Sequence, residues 1–364
     1  MTTGSAFPVM ATKGGPPRRV LILKPCCLGD LVQTTSVIAA VHQHWPAAAI
    51  TVATGPWSAA AVAHHPAVSD VVDIGNLGLR GKQRPAELLR LWPAFRRRHF
   101  DVAIVPDRSP VLAVLVWLAA VPVRAGYNSA GRGRLYTIGV RPVPNLHELD
   151  QAQRLLALLG MPELPLPQFF AGRMGREEAD AIVRTLPAGR PLALLAPGGG
   201  ENPGTSMPGK RWSAGGYTAV AAALQEAGAT VALVGAGTDR AVANAVAAQG
   251  TTLHDLVGKT SLAALGALAA QSSVFVGNDS GITHLAAATG CPTVAIFGPT
   301  EPRLYAPRGQ SVRVVSPAPS LRIGGEGSVR RPYVFARPWQ EHLPADVVCE
   351  AAVAVLLSRR SGDC

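Results

Sequence analysis

Short apolar runs bounded by turn residues alternate along this chain with longer segments whose apolar positions recur at helical spacing. Val20-Leu21-Ile22-Leu23 is an unbroken apolar run, the pattern of a strand buried on both faces. Lys24-Pro25-Cys26-Cys27-Leu28-Gly29-Asp30 follows, and then a helical segment from Leu31 to His44. Ile50–Ala53, Val71–Ile74 and Val102–Val105 read as further strands. Glu87–Arg98 reads as a helix kinked or broken at Pro93, and Val111–Ala120 as an apolar helix. Such alternation predicts a parallel, doubly wound sheet. Ligands bind these sheets outside the carboxyl ends of the strands, where Asp30 and Asp107 fall.

The pattern restarts after the Pro-rich connector Met161–Pro167. Glu177–Leu186 is a surface helix, and Leu192–Ala196 a strand running into Pro197-Gly198-Gly199-Gly200. Tyr217–Ala227 is a helix, Thr230–Val234 a strand, and Asp239–Ala248 and Leu262–Gln271 are helices. Val274–Pro299 then gives a strand, the turn Asn278-Asp279-Ser280-Gly281, a helix Ile282–Thr289 stopped by Gly290 and Pro292, and a strand Thr293–Phe297. Its turn places a carboxylate, a hydroxyl and free backbone N–H groups at the positive end of a helix. That suits an anion such as phosphate, and equally a well-capped core turn. Two α/β halves therefore follow one another, and a cleft between them is the expected binding site. Val347–Leu357 predicts a terminal helix, expected to pack back across the first domain.

Composition supports two ordered domains: 364 residues, 48% hydrophobic and 16% charged. The net charge is +11, but aromatics are only 5% and no basic helix carries interleaved aromatic platforms, so no nucleic-acid partner is expected. Cys26, Cys27, Cys291, Cys349 and Cys364 are odd in number and include no CxxC pair, which argues against a disulfide framework or structural zinc and for a reducing, cytoplasmic setting. Residues 1–17 lack an apolar signal core and read as a flexible leader. The longest apolar run, Val111–Val123, is too short to span a bilayer, leaving peripheral contact with the inner membrane face open.

Asp30 can serve as a helix cap or as a general base toward a hydroxyl. Gly198–Trp212 is a long polar loop in which Thr205, Ser206 and Lys210 can donate to phosphate. Gly204–Lys210 has the spacing of a Walker A loop, but Arg211 stands where the magnesium-binding hydroxyl belongs and no helix follows directly, which argues against a P-loop NTPase. With neither a DxD pair nor an HExxH motif, a nucleotide diphosphate would be met by Lys210, hydroxyls and a helix N-terminus, not by a metal. His284 either faces that pocket or packs between helix and sheet. Arg80–Arg98 holds seven basic residues against Glu87 alone, suiting an anionic substrate, a lipid surface or a solvated helix face.

Three stretches together, ILKPCCLGDLVQTTSVIAAV (Ile22–Val41), APGGG…SMPGKRWSAGGY (Ala196–Tyr217) and LVGKTSL…VFVGNDSGITHLAAATGCPTVAIFGPTEP (Leu256–Pro302), resemble glycosyltransferase family 9, the ADP-heptose:lipopolysaccharide heptosyltransferases. The resemblance implies a GT-B fold of two Rossmann-like, doubly wound parallel-sheet domains facing a central cleft. An acceptor-binding domain would span 18–170, a nucleotide-sugar-binding domain 171–340, and the terminal helix 341–364. It implies inverting, metal-independent transfer from an ADP-sugar, with ADP-heptose as substrate and no cofactor beyond it. Asp30 would be the base, and Lys210 and Ser206 would hold the diphosphate. Asp279, with the backbone of Ser280 and Gly281, would hold phosphates and donor-sugar hydroxyls; Gly29, Thr205 and His284 complete the donor set. The chain departs from the family in having Cys26-Cys27 for the usual Ser-Ser, in lacking the usual paired cysteines near its C-terminus, and in offering only Thr238 or Asp239 as an acidic or polar ribose contact. The acceptor is a saccharide, a glycolipid or a natural-product scaffold, and the protein is expected to be a monomer. Two alternatives stay open: a GT-B-like sugar-nucleotide epimerase or hydrolase, and a non-catalytic sugar-nucleotide binding protein.

Overall fold

A computed structural model describes residues 15–79, 85–129, 132–202, 205–248 and 252–361. Residues 1–14 of the expected leader, Arg80, Lys82 and Arg84 of the basic stretch, Gly204 and Cys364 lie outside the described residues, as does the side chain of Thr205. The chain forms two compact units, the first closing at Pro167 and the second opening at Gln168.

The first unit runs β1 (Arg19–Leu23), α1 (Leu28–His44), β2 (Ala49–Thr54), β3 (Val68–Asp73), α2 (Pro85–Arg97), β4 (Val102–Val105), α3 (Pro110–Leu118), β5 (Val123–Tyr127), β6 (Ile138–Val140) and α4 (Glu148–Ala157). Its strands are parallel in the order β3-β2-β1-β4-β5-β6. The chain walks outward from β1 through β2 to β3, then returns to lay β4 on the other side of β1, with Val20 opposite Val102 and Ile22 opposite Ile104. The reversal lies between β1 and β4, and it leaves a crevice at their carboxyl ends. Leu21, Leu23, Ala103 and Val105 are fully buried with Phe95, Leu112 and Leu115 from the helices. Helix α2 continues through Pro93, so the expected break is absent. Leu91 and Phe95, two residues before and after that proline, are both buried, and this packing holds the helix together.

Cys26 and Cys27 are joined to one another by a disulfide, a bond between neighbours that the cysteine count did not anticipate. The cysteine-parity argument concerns bonds between distant elements, whereas this one closes a ring within a single turn. It provides no framework, and neither Cys291 nor Cys349 is disulfide-bonded.

The second unit comprises α5 (Gly172–Val183), β7 (Leu192–Ala196), β8 (Glu201–Asn202), β9 (Thr205–Ser206), α6 (Ala214–Glu226), β10 (Thr230–Leu233), α7 (Arg240–Ala247), β11 (His254–Asp255), α8 (Leu262–Gln271), β12 (Val274–Asn278), α9 (Gly281–Ala288), β13 (Thr293–Ile296), α10 (Pro302–Tyr305), β14 (Val312–Val315), β15 (Arg322–Gly324), β16 (Val334–Phe335) and α11 (Ala345–Ser361). The main sheet is parallel in the order β11-β10-β7-β12-β13-β14. Here the reversal lies between β7 and β12. Two short antiparallel pairs, β8–β9 and β15–β16, stand apart from it. Helix α11 uses its apolar face inside this unit: Val348, Ala351, Ala352 and Leu356 share a core with Val220, Leu224, Val274 and Val294. Its neighbours are α6 and the inner strands, whose own apolar residues it shields from water.

Candidate functional site

In the first unit, α1 begins at Leu28, earlier than its hydrophobic pattern suggests. Cys27 is the N-cap residue and its side chain makes no capping bond, so Asp30 lies inside the first turn and is not the cap. A carboxylate there is favoured by the partial positive charge of the helix start. Gly29 is buried beside it. Lys24, one residue past β1, lies 3.6 Å from Asp30 Oδ2 and 3.2 Å from Asp107 Oδ2, and donates to the carbonyl of Pro106 at 3.4 Å. Burial works against the Lys24 charge, but Asp30, Asp107 and Glu148 outweigh it and hold the ammonium well above its usual range. Asp107 is fixed in turn by the backbone N–H of Ser109, which donates to Oδ1 at 2.7 Å at the start of α3. A small polar pocket beside this group is lined by Lys24, Asp30, Gln33, Thr34, Pro106 and Glu148.

In the second unit the excursion between β7 and α6 is tied down at both ends. Asn278, fully buried at the end of β12, accepts from Trp212 N at 3.0 Å and donates to the carbonyls of Pro197 and Gly198, each at 2.9 Å. Lys210 ends a tight turn whose flanking carbonyls are also held: Trp339 Nε1 donates to Gly209 at 2.6 Å and Gln340 Nε2 to Arg211 at 2.8 Å. So placed, the Lys210 ammonium meets Asp279 Oδ2 at 2.6 Å, with the two side chains only 12% and 7% exposed. Thr300 Oγ1 donates to the same oxygen at 2.6 Å.

Ser280 is the N-cap of α9, and its hydroxyl meets Thr283 Oγ1 at 3.1 Å without capping a backbone N–H. Asp279 is thus not occupied in capping, and the first turn of α9, beginning at Gly281, directs its N–H groups toward the same strand ends. His284 is buried one turn on. Ser206 does not join Lys210; its hydroxyl donates to Glu201 Oε1 at 2.9 Å across the β8–β9 pair. Arg211 also turns inward, its Nε donating to the carbonyl of Gly199 at 2.8 Å.

Asp239 proves to be a scaffold residue. Its carboxylate accepts from Gly199 N at 3.1 Å and Ala236 N at 3.0 Å, joining the turns after β7 and β10. The approach is close enough that a Cβ on Gly198 would collide with Asp239, and one on Gly199, at φ +101°, with Ser280. Two backbone N–H groups already engage the buried Asp239 carboxylate, while neighbouring Thr238 is exposed.

Sequence reasoning missed Thr300, Glu301, Trp339 and Gln340 as parts of this site, and named Asn278 only as a turn residue. Glu301, next to Thr300, accepts from Tyr333 and, at 3.2 Å each, from Arg303 and Arg322. Burial raises its pKa, but the Arg303 and Tyr333 hydrogen bonds prevail and bring it down to about 2. The sequence signal for Asn278 was its place at a strand end; for Trp339 and Gln340 none was available. Among the described residues no three His, Cys, Asp or Glu side chains gather as a metal-ligand set, and no helix is long and apolar enough to cross a membrane.

Two doubly wound parallel-sheet units, each with charged residues at its strand-order reversal, have the GT-B fold. Residues 88–322 match the profile of glycosyltransferase family 9 (heptosyltransferase), and the chain belongs to that family. It is an enzyme that transfers a glycosyl group. It is 26% identical over 312 residues to lipopolysaccharide heptosyltransferase 2 of Escherichia coli strain K12, covering 82% of this chain and 87% of that one. To lipooligosaccharide heptosyltransferase 2 of Haemophilus ducreyi it is 28% identical over 319 residues, covering 82% and 88%. Its fold is similar to that of the E. coli ADP-heptose lipopolysaccharide heptosyltransferase II (TM-score 0.74, 22% identity, 94% and 99% covered). It is similar also to an E. coli heptosyltransferase solved with ADP-2-deoxy-2-fluoro heptose (TM-score 0.68, 20% identity, 92% and 98% covered).

Proposed function

We propose that this enzyme moves a heptose from ADP-heptose to a hydroxyl of a lipopolysaccharide inner-core acceptor, with inversion at the anomeric carbon and without a metal. The observation that carries the donor half is the Lys210–Asp279 pair beside the start of α9, at the strand-order reversal of the second unit. An ammonium has three N–H donors; Asp279 takes one and orients the group, leaving two for diphosphate oxygens. Backbone N–H groups at Ser280 and Gly281 add the positive end of the helix. Negative charge grows on the departing ADP, and fixed donors aimed at it stabilise the transition state more than the ground state. Lys210 and the helix start supply the positive charge that a divalent cation gives other nucleotide-sugar enzymes. Asp30 is the base of this reading: it takes the proton as the acceptor oxygen attacks the face opposite the leaving group. Relatives named as lipopolysaccharide and lipooligosaccharide heptosyltransferases support the acceptor class, and the similar enzyme solved with an ADP-heptose analogue supports the donor.

The purified protein, incubated with ADP-heptose and truncated lipopolysaccharide in the presence of EDTA, is expected to add one heptose mass and release ADP. Nuclear magnetic resonance of the product should show the inverted anomer. Donor consumption at the same rate without acceptor would instead favour the hydrolase or epimerase reading, and donor binding with no turnover the binding-protein reading.

A further inference from the structure

Lys24 plays no part in the mechanism above, yet it is the charge nearest to Asp30. Pairing of β1 with β4 brings the residues just beyond Leu23 and Val105 together, so Lys24 reaches Asp107 and the Pro106 carbonyl by register alone. Its side chain is 12% exposed, against 43% for Asp30 and 18% for Asp107. A lysine this enclosed keeps its charge only when opposite charges surround it. The other charged or titratable groups facing this cluster are Glu148 of α4, held by Arg108 at 2.8 and 2.9 Å, and Tyr127 of β5, over whose ring Arg108 lies.

We infer that Lys24 is a positioning residue for Asp30, its ammonium shared with Asp107. The inference rests on Asp30 being the base. The ammonium holds the carboxylate at the edge of the pocket through the 3.6 Å ion pair. A full, unshared positive charge at that distance would also weaken the base, because a carboxylate held too firmly ionised accepts a proton poorly. Asp107 moderates this by drawing on the same ammonium, closer to it than Asp30 is. Two substitutions in one triad should therefore move the pH dependence in opposite directions, which a purely structural role would not do.

The test is the pH profile of kcat/KM for transfer from ADP-heptose to truncated lipopolysaccharide. Lys24→Met is expected to move the acid limb up by about one pH unit, the size typical of losing an opposite charge at close range. Asp107→Asn, which keeps the oxygen that accepts from Ser109, should move it down by roughly half that amount. Lys24→Arg should keep the limb near its original place. In all three, KM for ADP-heptose should stay within about twofold, since the donor-holding residues proposed above are untouched. Far-UV circular dichroism and ADP-induced thermal shift establish folding; should Lys24→Met not fold, Asp107→Asn and Lys24→Arg decide. Unchanged limbs, or limbs moving the same way, overturn the role of Lys24. Full transfer by Asp30→Asn overturns the reading of Asp30 itself, and is a separate result.

Discussion

Lys210 and Asp279, brought together from two different strand-end loops, form a nearly enclosed ion pair at 2.6 Å. The charges do not find each other by chance. Asn278 and Trp212 lock the two loops at their roots, and Trp339 and Gln340 fix the carbonyls on either side of the lysine. Lys210→Ala is expected to lower kcat/KM by about a hundredfold, as removing one electrostatic donor to a developing anion typically does. Asp279→Asn should weaken ADP binding measured by calorimetry, because Lys210 then lacks the partner that aims it. If Lys210→Ala turns over at the wild-type rate, the lysine is not a phosphate ligand.

Asp30→Ala is expected to abolish transfer while leaving ADP affinity within about twofold, since the proposed base and the proposed nucleotide ligands belong to different units and mutations at independent sites act separately. Transfer and ADP titration on one preparation of the variant check both halves of the statement. Retained turnover removes Asp30 as base.

Asp239→Ala should destabilise the second unit by about 1 kcal/mol, because two part-buried backbone N–H groups lose their carboxylate acceptor. Denaturant unfolding measures this loss. ADP affinity should fall with it, since the turn after β7 lies against Ser280. Unfolding at the wild-type midpoint would show that water replaces the carboxylate without cost.

Two buried groups give the fold a signed pH dependence. His65 is pushed down to about 4 from an ordinary 6.5 by burial and by nearby His42, so its neutral form is the one the fold accepts. The unfolded chain then binds the proton more readily, and stability is lost as pH falls from 6.5 toward 4, by on the order of 2 kcal/mol. His65→Asn should flatten melting temperature against pH across that window. Glu301, held at about 2 against 4.5, contributes stability that is complete above 4.5 and lost as pH falls toward 2. Glu301→Gln should remove that lower component, and thermal melts from pH 7 to 2.5 separate the two.

Local pattern made most of the fold legible. Helix α8 matches its expected limits, and the strands carrying the proposed site residues were visible as apolar runs. Strands β5 and β6 were not, because Arg124 and Gly126 interrupt the first and the second has three residues. The start of α1 was read late because Leu28-Gly29-Asp30 resembles a turn, and only the path of the chain off β1 shows that it is helical.

By itself the sequence determined the two parallel α/β units, the polar turn Asn278–Gly281 at the start of a helix, and the presence of Asp30 and Lys210 in the segments that follow strands. These follow from residue type and short-range periodicity, which act within a few positions along the chain. Tertiary structure alone decided which charges pair. It gave Lys210 to Asp279, shared Lys24 between Asp30 and Asp107, turned Ser206 onto Glu201, and made Asp239 a brace between two turns. It also placed α11 and Trp339 beside the loop between β7 and α6. The physical reason is strand order: residues distant in sequence become neighbours where the sheet reverses, and nothing in local periodicity encodes which strands will lie side by side.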